Sequence, residues 1–414
     1  MHTTKVTQKS ALAGFASAGK PGYADRPERF CNTTRNQSRS TRSPRRAGLL
    51  WFASALAALT ITPAHGQTSW PKGANPFAGV VRDLAGNLYG TTTYGGEKFC
   101  GFYGTGCGVV YKLDPAGHEK RLYAFMGLAD GGTPSYAGVI DSAGNLYGTT
   151  SQGGQGVPGS GVVYKLDPAG QETVLYTFTG GSDGANPSFG VVRDSAGNLY
   201  GTTGGGGDCC GVVFKIDPSG HYTVLYTFTG GADGGYPGGG VIRDSAGNLY
   251  GTTENGGDLS CTAFFSPGCG VVFKVDPSGQ ETVLYSFTGG ADGGFPFVAG
   301  VIRDPAGNLY GTTFAGGGSG CNDSGGFGTD GCGVVYKLDT SGQETVLHTF
   351  TGGSDGGNPF PGLVRDRAGN LYGTTGGGGD LSCTFYPYAP GCGVVFKVDP
   401  SGQETVLYSF RAGL

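Results

Sequence analysis

The sequence predicts an all-β protein, a six-bladed β-propeller of four-stranded antiparallel blades. First, the heptapeptide Gly-Asn-Leu-Tyr-Gly-Thr-Thr occurs six times, and its asparagines are Asn87, Asn145, Asn198, Asn248, Asn308 and Asn370. A segment that recurs every 50 to 62 residues indicates one supersecondary unit repeated along the chain. Second, 86 of the 414 residues are glycine, and β-branched residues recur between them, which disfavours helix. Third, each repeat contains four apolar runs of strand length.

The third repeat shows how the four strands are joined. Its predicted strands are, in order, 189–193, 198–203, 211–216 and 222–228. The turns Asp194-Ser195-Ala196-Gly197 and Asp217-Pro218-Ser219-Gly220 have the residue types of tight hairpins, because Asp bonds its own backbone and Gly adopts a left-handed conformation. All six repeats keep Asp and Gly in both turns, so we interpret these aspartates as structural.

Apolar residues on both strand faces predict blades that are packed between neighbours. The recurrent tyrosine of the second strand is expected to pack blade on blade, at Tyr89, Tyr147, Tyr200, Tyr250, Tyr310 and Tyr372. The sequence allows two ways of closing the ring. Either each repeat forms one intact blade, or the last strand, 404–410, completes the first blade. An open array of repeats is the alternative architecture.

The first 66 residues have the features of a secretory leader. Arg42, Arg45 and Arg46 precede an apolar run, 49–61, that is too short to cross a bilayer comfortably, and a small-residue cleavage site follows at 64–66. We therefore expect a leader, 1–66, that is cleaved or disordered, and one propeller domain, 67–414, in a secreted protein that is extracellular or periplasmic. The repeats span about 76–126, 134–178, 187–228, 237–287, 296–350 and 359–410.

The charge distribution limits the classes of partner that the protein can bind. The leader contains 10 of the 27 Lys and Arg residues but only 2 of the 31 Asp and Glu residues, so the remaining chain is acidic. An acidic domain without a basic stripe argues against nucleic acid as a partner. No apolar run after the leader is long enough for a membrane span. We expect a monomer without a cofactor.

The loops sort onto two sides of the predicted disc, because strand direction alternates. The Asp-Gly hairpins lie on one side, the hairpin face. The loops that join strands two and three, and those that join successive repeats, lie on the other side, which we call the loop face. These loops are long and variable, which is typical of the binding side of a repeat scaffold.

The cysteines of the domain belong to the loop face. They occur two per loop, at Cys100 and Cys107, Cys209 and Cys210, Cys261 and Cys269, Cys321 and Cys332, and Cys383 and Cys392. This placement favours a disulfide within each loop in an exported protein. Cys209 and Cys210 are adjacent, so a strained bridge with a redox role is an alternative. The variable spacings and the lack of accompanying histidines argue against a metal site.

Three of these loops carry aromatic residues, which are our candidate ligand-binding residues: Phe99, Phe102, Tyr103, Phe264, Phe265, Phe385, Tyr386 and Tyr388. Exposed aromatics on a stiffened loop suit stacking on sugar rings or docking a protein. The alternative is that they pack on each other. The loops between repeats carry Asp-Gly at Asp130, Asp183, Asp233, Asp292 and Asp355, either as caps of their own turns or as a site for a cation or a basic partner.

The run Arg-Asp-x-Ala-Gly-Asn-Leu-Tyr-Gly-Thr-Thr-x-x-Gly-Gly, with Gly-Val-Val-Tyr/Phe-Lys and Asp-Pro-Ser-Gly after it, resembles the GloVer tandem repeat of bacterial exported proteins. The resemblance covers about residues 76–410, and the blade is also similar to a kelch-type blade. It implies a secreted or surface protein without an established activity, so no catalytic residue is carried over.

The leading functional hypothesis is a secreted or cell-surface binding module that recognises glycan or protein through the loop face, and we do not identify catalytic residues. The alternative is a propeller-based extracytoplasmic enzyme, such as a polysaccharide lyase, a hydrolase or a quinoprotein. Residues that break the repeat, Glu97, Glu254 and Asp323, are its weak candidates. A structural envelope protein is the third possibility.

Overall fold

Six antiparallel sheets form the six blades of a β-propeller, which confirms the predicted fold. The protein is described by a computed structural model. It describes residues 73–76, 79–96, 106–155, 159–187, 189–207, 209–261, 267–296, 300–318, 321, 331–360, 362–383 and 390–411. The leader expected at 1–66 lies outside these ranges. Within them, no helix has the length and hydropathy needed to span a bilayer.

The first three blades each contain four strands. Blade 1 consists of β1 (Val81–Arg82), β2 (Leu88–Thr92), β3 (Val109–Leu113) and β4 (Glu119–Ala124). Blade 2 consists of β5 (Gly132–Ile140), β6 (Leu146–Gln152), β7 (Val162–Leu166) and β8 (Glu172–Thr177). Blade 3 consists of β9 (Val192–Arg193), β10 (Leu199–Thr203), β11 (Val212–Ile216) and β12 (Tyr222–Thr227).

Blades 4 and 5 repeat this arrangement, and blade 6 has one additional short strand. Blade 4 consists of β13 (Val241–Arg243), β14 (Leu249–Thr252), β15 (Val271–Val275) and β16 (Glu281–Ser286). Blade 5 consists of β17 (Ile302–Arg303), β18 (Leu309–Thr312), β19 (Val334–Leu338) and β20 (Glu344–Thr349). Blade 6 consists of β21 (Gly357–Pro359), β22 (Val364–Arg365), β23 (Leu371–Gly377), β24 (Val394–Val398) and β25 (Glu404–Ser409).

In blades 1 to 5 the chain order of the strands is also their order in the sheet, whereas in blade 6 both β21 and β22 pair with β23. All pairs of these strands are antiparallel. The last strand, β25, pairs with β24 of its own blade, and blade 1 takes all its strands from the start of the domain. Of the two frames that the sequence left open, the protein therefore adopts the one with six intact blades.

The turn aspartates are structural, as predicted. In the first turn of blade 3, Asp194 accepts hydrogen bonds from the backbone N–H of Asn198 (2.9 Å), from its side-chain amide (2.8 Å) and from the Tyr200 hydroxyl (3.1 Å). In blade 1, the equivalent bond from the Asn87 amide outweighs partial desolvation and holds the pKa of Asp83 below its ordinary value. The motif that recurs in each repeat thus closes a hairpin through three hydrogen bonds to one carboxylate.

The core lies between blades. Five hydrophobic clusters each join two successive blades. At every one of these interfaces, a phenylalanine that follows the fourth strand packs edge-to-face on the third-strand aromatic ring of the next blade, with ring centroids 5.0–5.4 Å apart. These phenylalanines are 0–1% exposed: Phe125, Phe178, Phe228, Phe287 and Phe350.

Five of the six second-strand tyrosines take part in the same interfaces, as the sequence predicts, whereas Tyr372 of blade 6 belongs to no cluster. Tyr89, Tyr200 and Tyr310 belong to clusters, and Tyr147 and Tyr250 pack against them. In four interfaces the guanidinium of a first-strand arginine lies 5.4–5.7 Å from the ring centre of the preceding blade's tyrosine, a cation–π distance.

The first strands of neighbouring blades lie close against each other. A Cβ atom at Gly138 would lie 2.9 Å from the backbone nitrogen of Val191 in the next blade, and one at Gly300 would lie 2.5 Å from the carbonyl oxygen of Gly239. Glycine at these positions therefore permits the close approach of neighbouring backbones.

Phe228→Ala is expected to destabilise the protein by about 3–5 kcal/mol, because it removes a buried ring from the packed interface of blades 3 and 4. Chemical denaturation of the oxidised protein measures this change. Phe410→Ala is the matched control: Phe410 occupies the equivalent position after β25 but is 43% exposed, so its removal should cost much less. Equal losses for both variants would contradict this account of the core.

Candidate functional site

Each loop between the second and third strands starts from a fixed base. In blade 4, the Thr253 hydroxyl donates to the Asn255 carbonyl (2.9 Å) and accepts from the backbone N–H of Val271 (3.1 Å). One threonine therefore holds the outgoing and the returning chain together. The same pair of bonds recurs in all six blades, at Thr92, Thr150, Thr203, Thr253, Thr313 and Thr375.

Disulfides close these loops within single blades. The bridges are Cys209–Cys210, Cys261–Cys269, Cys321–Cys332 and Cys383–Cys392. The three longer loops have Cα–Cα separations of 5.1–5.7 Å, within the ordinary disulfide range. Cys107 is disulfide-bonded as well, and its expected partner, Cys100, lies outside the described residues. The pairing expected from the sequence is thus present in the four loops whose cysteines are both described.

The aromatic candidates for ligand binding all lie outside the described ranges. They are Phe99, Phe102, Tyr103, Phe264, Phe265, Phe385, Tyr386 and Tyr388. The cysteines on which two of these loops are mounted are described, with Cys269 fully buried and Cys261 6% exposed. The base of the blade 4 loop is therefore anchored in the interface between blades, whereas Cys383 and Cys392 of the blade 6 loop are half-buried. The role of the aromatic residues in both loops stays a prediction.

The loops between repeats are capped by their own aspartates. Asp233 accepts from the backbone N–H of Thr229 (2.8 Å), from the Thr229 hydroxyl and from the Tyr226 hydroxyl (3.0 Å). Asp183 and Asp292 make the same three bonds. The capping interpretation is therefore confirmed, and the hydrogen bonds that saturate these carboxylates leave little capacity for a cation.

Six residues with left-handed backbone mark the inner rim of the loop face. Their φ angles are 52–57°, and each precedes a proline: Asn75, Thr133, Asn186, Tyr236, Phe295 and Asn358. Such a conformation is strained for a residue with a side chain and persists only where surrounding contacts hold it. The sequence analysis did not identify these residues, although the spacing Asp-Gly-x-x-Pro marks five of them and Gly-x-x-Pro marks Asn75.

Hydrogen bonds explain why the strained residues persist. The N–H of Tyr236 donates to the Cys210 carbonyl (2.7 Å), and the N–H of Phe295 donates to the Cys269 carbonyl (2.8 Å). The same bond forms at Thr133, Asn186 and Asn358. Each loop that ends at such a carbonyl is thereby tied to the following blade, so the loop face is a connected rim.

Four large apolar residues are exposed on the described part of the loop face. Leu259 (49%) and Leu381 (55%) lie in two copies of the motif Asp-Leu-Ser-Cys, directly before the bridged cysteines of blades 4 and 6. Met126 (51%) and Leu128 (63%) lie in the loop between blades 1 and 2, where other repeats have Thr and Gly. The sequence analysis did not identify them, although the departures from the repeat are visible there.

The described residues hold little that resembles a catalytic centre. Glu254 is half-buried at the base of a loop, whereas Glu97 and Asp323 lie outside the described ranges. Among the residues described, no group of three or more His, Cys, Asp or Glu side chains comes together. His348 replaces the recurrent fourth-strand tyrosine, and its Nε2 lies 3.6 Å from the Asp355 carboxylate. Burial lowers the pKa of His348 despite that carboxylate.

Three partly buried glutamates lie near the capping aspartate of the preceding blade. Burial, and secondly the negative charge of the capping aspartate, raise the pKa of Glu172, Glu281 and Glu344 to about 7. The relevant aspartates are Asp130, Asp233 and Asp292, respectively. One carboxylate oxygen of each glutamate is buried without a hydrogen-bond partner. These glutamates start the fourth strands, so their protonation acts on the interface between blades.

Comparison with known proteins identifies the repeat. The family model described as the Gloeobacter/Verrucomicrobia repeat matches residues 47–265, 101–324 and 265–413. No curated protein matches the chain.

Solved structures with some likeness to the chain include enzymes with low similarity. A luciferin-regenerating enzyme is 14% identical, with a TM-score of 0.42 over 74% of this chain and 85% of that one. A putative gluconolactonase is 12% identical, with a TM-score of 0.36 over 72% and 81%. Dipeptidyl peptidase 4 of Porphyromonas gingivalis is 10% identical, with a TM-score of 0.37 over 78% and 44%. Similarity at this level carries no argument about activity.

Glu281→Gln is expected to change how stability depends on pH. The pKa of Glu281 is about 7 in the folded protein against 4.5 ordinarily, so the folded state binds more protons between these values. The contribution of Glu281 to stability is therefore lost as pH rises through that window. Thermal unfolding should show the variant gaining stability over the wild type at about pH 8 but not at about pH 4.

Glu119→Gln is the control for this pH effect. Glu119 holds the same repeat position in blade 1, and its side chain is exposed. The variant should follow the wild-type pH profile. A similar change in both variants would contradict the assignment of the effect to burial between blades.

Proposed function

Because the chain belongs to the Gloeobacter/Verrucomicrobia repeat family, whose repeats here build the blades of a propeller, we propose that it is a binding module that recognises a glycan or protein through its loop face. The observation that carries the proposal is the restriction of disulfides to this face. Among the described residues, every bridged cysteine lies in a loop between the second and third strands of a blade.

Bracing at this position serves recognition better than it serves the fold. The blades are already joined by buried aromatic packing, to which the bridged cysteines of blades 4 and 5 themselves belong. A loop that is fixed before binding loses less conformational entropy when it meets a ligand. The threonine base, the disulfide and the bond to the next blade all fix the same segments, which is the arrangement that a preorganised binding surface needs.

The residues that contact the ligand in this proposal are apolar and aromatic. Leu259 and Leu381 are exposed beside braced cysteines. The aromatic residues of the same two loops, Phe264, Phe265, Phe385, Tyr386 and Tyr388, are proposed to stack on sugar rings or to anchor a protein, and Phe99, Phe102 and Tyr103 are proposed to do so on blade 1. By contrast, the hairpin face presents short turns whose aspartates bond their own backbones.

The disulfides indicate an oxidising environment. We propose that the protein is exported by its leader and acts outside the cytoplasm, in the extracellular space or the periplasm. Detection of the mature chain in culture medium or in an envelope fraction, with its N-terminus near residue 67, would support export. Recovery of the full chain with reduced thiols from the cytoplasm would contradict it.

A propeller-based enzyme is the second candidate, and one departure from the repeat favours it. His348 and Asp355 form a half-buried pair where other blades have tyrosine and aspartate. An imidazole beside a carboxylate is a common acid–base pair, yet Asp355 is already bonded to the backbone and hydroxyl of Thr351. His348→Tyr, which restores the residue of the repeat, would abolish an activity of this kind and leave a binding function intact.

The test of the binding proposal is a screen of glycans and envelope extracts with the oxidised protein. The double variant Leu259→Ser, Leu381→Ser and the double variant Phe264→Ala, Phe385→Ala are each expected to weaken any binding about tenfold or more, because central apolar anchors dominate such interfaces. Circular dichroism should show an intact fold. Unchanged affinity in both double variants would overturn the assignment to these loops.

Leu84→Ser is the matched control for this screen. Leu84 is fully exposed on the hairpin face, in the first turn of blade 1. Its substitution should leave the affinity unchanged. Loss of binding in this variant, with retention in the loop variants, would move the binding site to the opposite side of the propeller.

Removing a bridge should weaken ligand binding more than it weakens the fold. Cys261→Ser with Cys269→Ser opens a loop of short span, whose closure contributes up to roughly 2–3 kcal/mol. We expect a clear loss of affinity, with thermal unfolding lowered modestly. Full affinity without the bridge would show that bracing of this loop is not needed for recognition.

A further inference from the structure

The two ends of the blade series are uncovered. We call the side of blade 6 that points away from blade 5 the tail face, and the side of blade 1 that points away from blade 2 the head face. Phe410 on the tail face is 43% exposed, whereas its five equivalents at internal interfaces are 0–1% exposed. Val80 on the head face is 46% exposed, whereas Val191, Val241, Val301 and Leu363 at the equivalent position are 2–7% exposed.

Other residues of the two faces show the same contrast. On the tail face, Val364 is 64%, Leu407 is 51% and Tyr408 is 59% exposed, although their counterparts in other blades pack against clusters. On the head face, Leu88 and Tyr111 are half-buried, whereas Leu146 and Tyr164, their counterparts in blade 2, are 2% and 0% exposed. The end faces thus have the composition of a core without its burial.

The backbone contacts between neighbouring blades show the same difference between internal interfaces and the ends of the series. A Cβ atom at Gly190 would lie 2.6 Å from the Cα of Gly138 in the preceding blade, and one at Gly300 would lie 2.5 Å from the Gly239 carbonyl oxygen, whereas a Cβ atom at Gly79, the equivalent position of blade 1, would meet nothing within 4 Å. The bond from a left-handed residue to the preceding blade's loop forms at the five internal interfaces. Among the described residues, the equivalent bond between Asn75 and the Cys392 carbonyl is not formed. Blade 6 therefore does not contact blade 1 in the way that neighbouring blades contact each other.

The two faces are complementary halves of one interface. The tail face carries the residue types that the first blade of each internal pair contributes to the interface. The head face carries the residue types that the second blade contributes. Phe410 would meet Tyr111 as Phe287 meets Tyr336, at 5.1 Å between ring centroids. Arg82 would cover Tyr372 as Arg303 covers Tyr250, at 5.7 Å. The five internal interfaces therefore specify which surface fits each end.

We propose that the head face of one chain docks on the tail face of a second copy of this chain and completes a sixth interface. Docking within one chain would require the five internal interfaces to change together. Their central residues are fully buried, and close-packed interfaces resist continuous deformation. A second copy covers one face, and a further copy can cover the other, without altering the internal interfaces. The sequence predicts a monomer, whereas the two uncovered faces favour association.

The association is heterologous, because two different surfaces meet. Such contacts produce closed rings or open chains according to the rotation between copies. The head face departs from the repeat at one position: Arg121 replaces the valine that the fourth strand of every other blade carries there. A charged residue makes the interface less apolar than the internal ones, so we expect reversible, concentration-dependent assembly.

The test uses two variants that each block one face of the full, oxidised chain. Val80→Asp blocks the head face and Phe410→Asp blocks the tail face, and both sites are exposed enough for the fold to tolerate a charge. In sedimentation velocity, the wild type should form larger species as its concentration rises. Each variant alone should be monomeric. An equimolar mixture should form a dimer that grows no further, because each variant retains the face that the other lacks.

Leu84→Asp, at a fully exposed position outside both faces, should assemble as the wild type does. A wild type that is monomeric at every concentration would overturn the proposal, and a lower melting temperature of Phe410→Asp would then identify closure within one chain. Assembly that both blocking variants retain would also overturn it, because the contact would lie elsewhere. Circular dichroism of each variant separates loss of assembly from loss of fold.

Discussion

Packing of one blade on the next is the contact on which the structure depends. A single phenylalanine after each fourth strand inserts against the third-strand ring of the following blade, and the surrounding valines and leucines complete a closed cluster. The hairpins shape each blade, but a four-stranded sheet with two apolar faces is not stable alone. Blades 2 to 5 therefore each contribute half of two interfaces, and burial is achieved only by the series.

This constraint also organises the loop face. The backbone of each left-handed residue bonds to the preceding blade's loop, so blade packing and loop placement are coupled. Disulfides then fix the loop from the other side. The strain of residues such as Phe295, which is buried with a φ of 53°, is held by this coupling. The loops can vary in length and composition because their bases are invariant.

Much of the fold and part of the candidate site could be predicted. Turn residues act locally: Asp194 bonds within six residues of itself, so its structural role follows from spacing alone. Disulfide pairing within loops could be predicted for the same reason, because the paired cysteines lie close together in the chain. The exposed Leu259 and Leu381 were not identified, because a leucine between polar neighbours does not reveal from sequence whether it is covered. The left-handed rim was missed because its stabilising bonds come from another blade.

The sequence by itself determined the repeat, the strand order, the hairpin chemistry and the side on which the long loops lie, because each depends on residues close together in the chain. Only the tertiary structure decided the frame of the blades and the state of the two ends. Phe410 and Phe350 have nearly the same local sequence, yet one is exposed and the other buried. The difference depends on whether a neighbouring blade is present, and no local pattern encodes that.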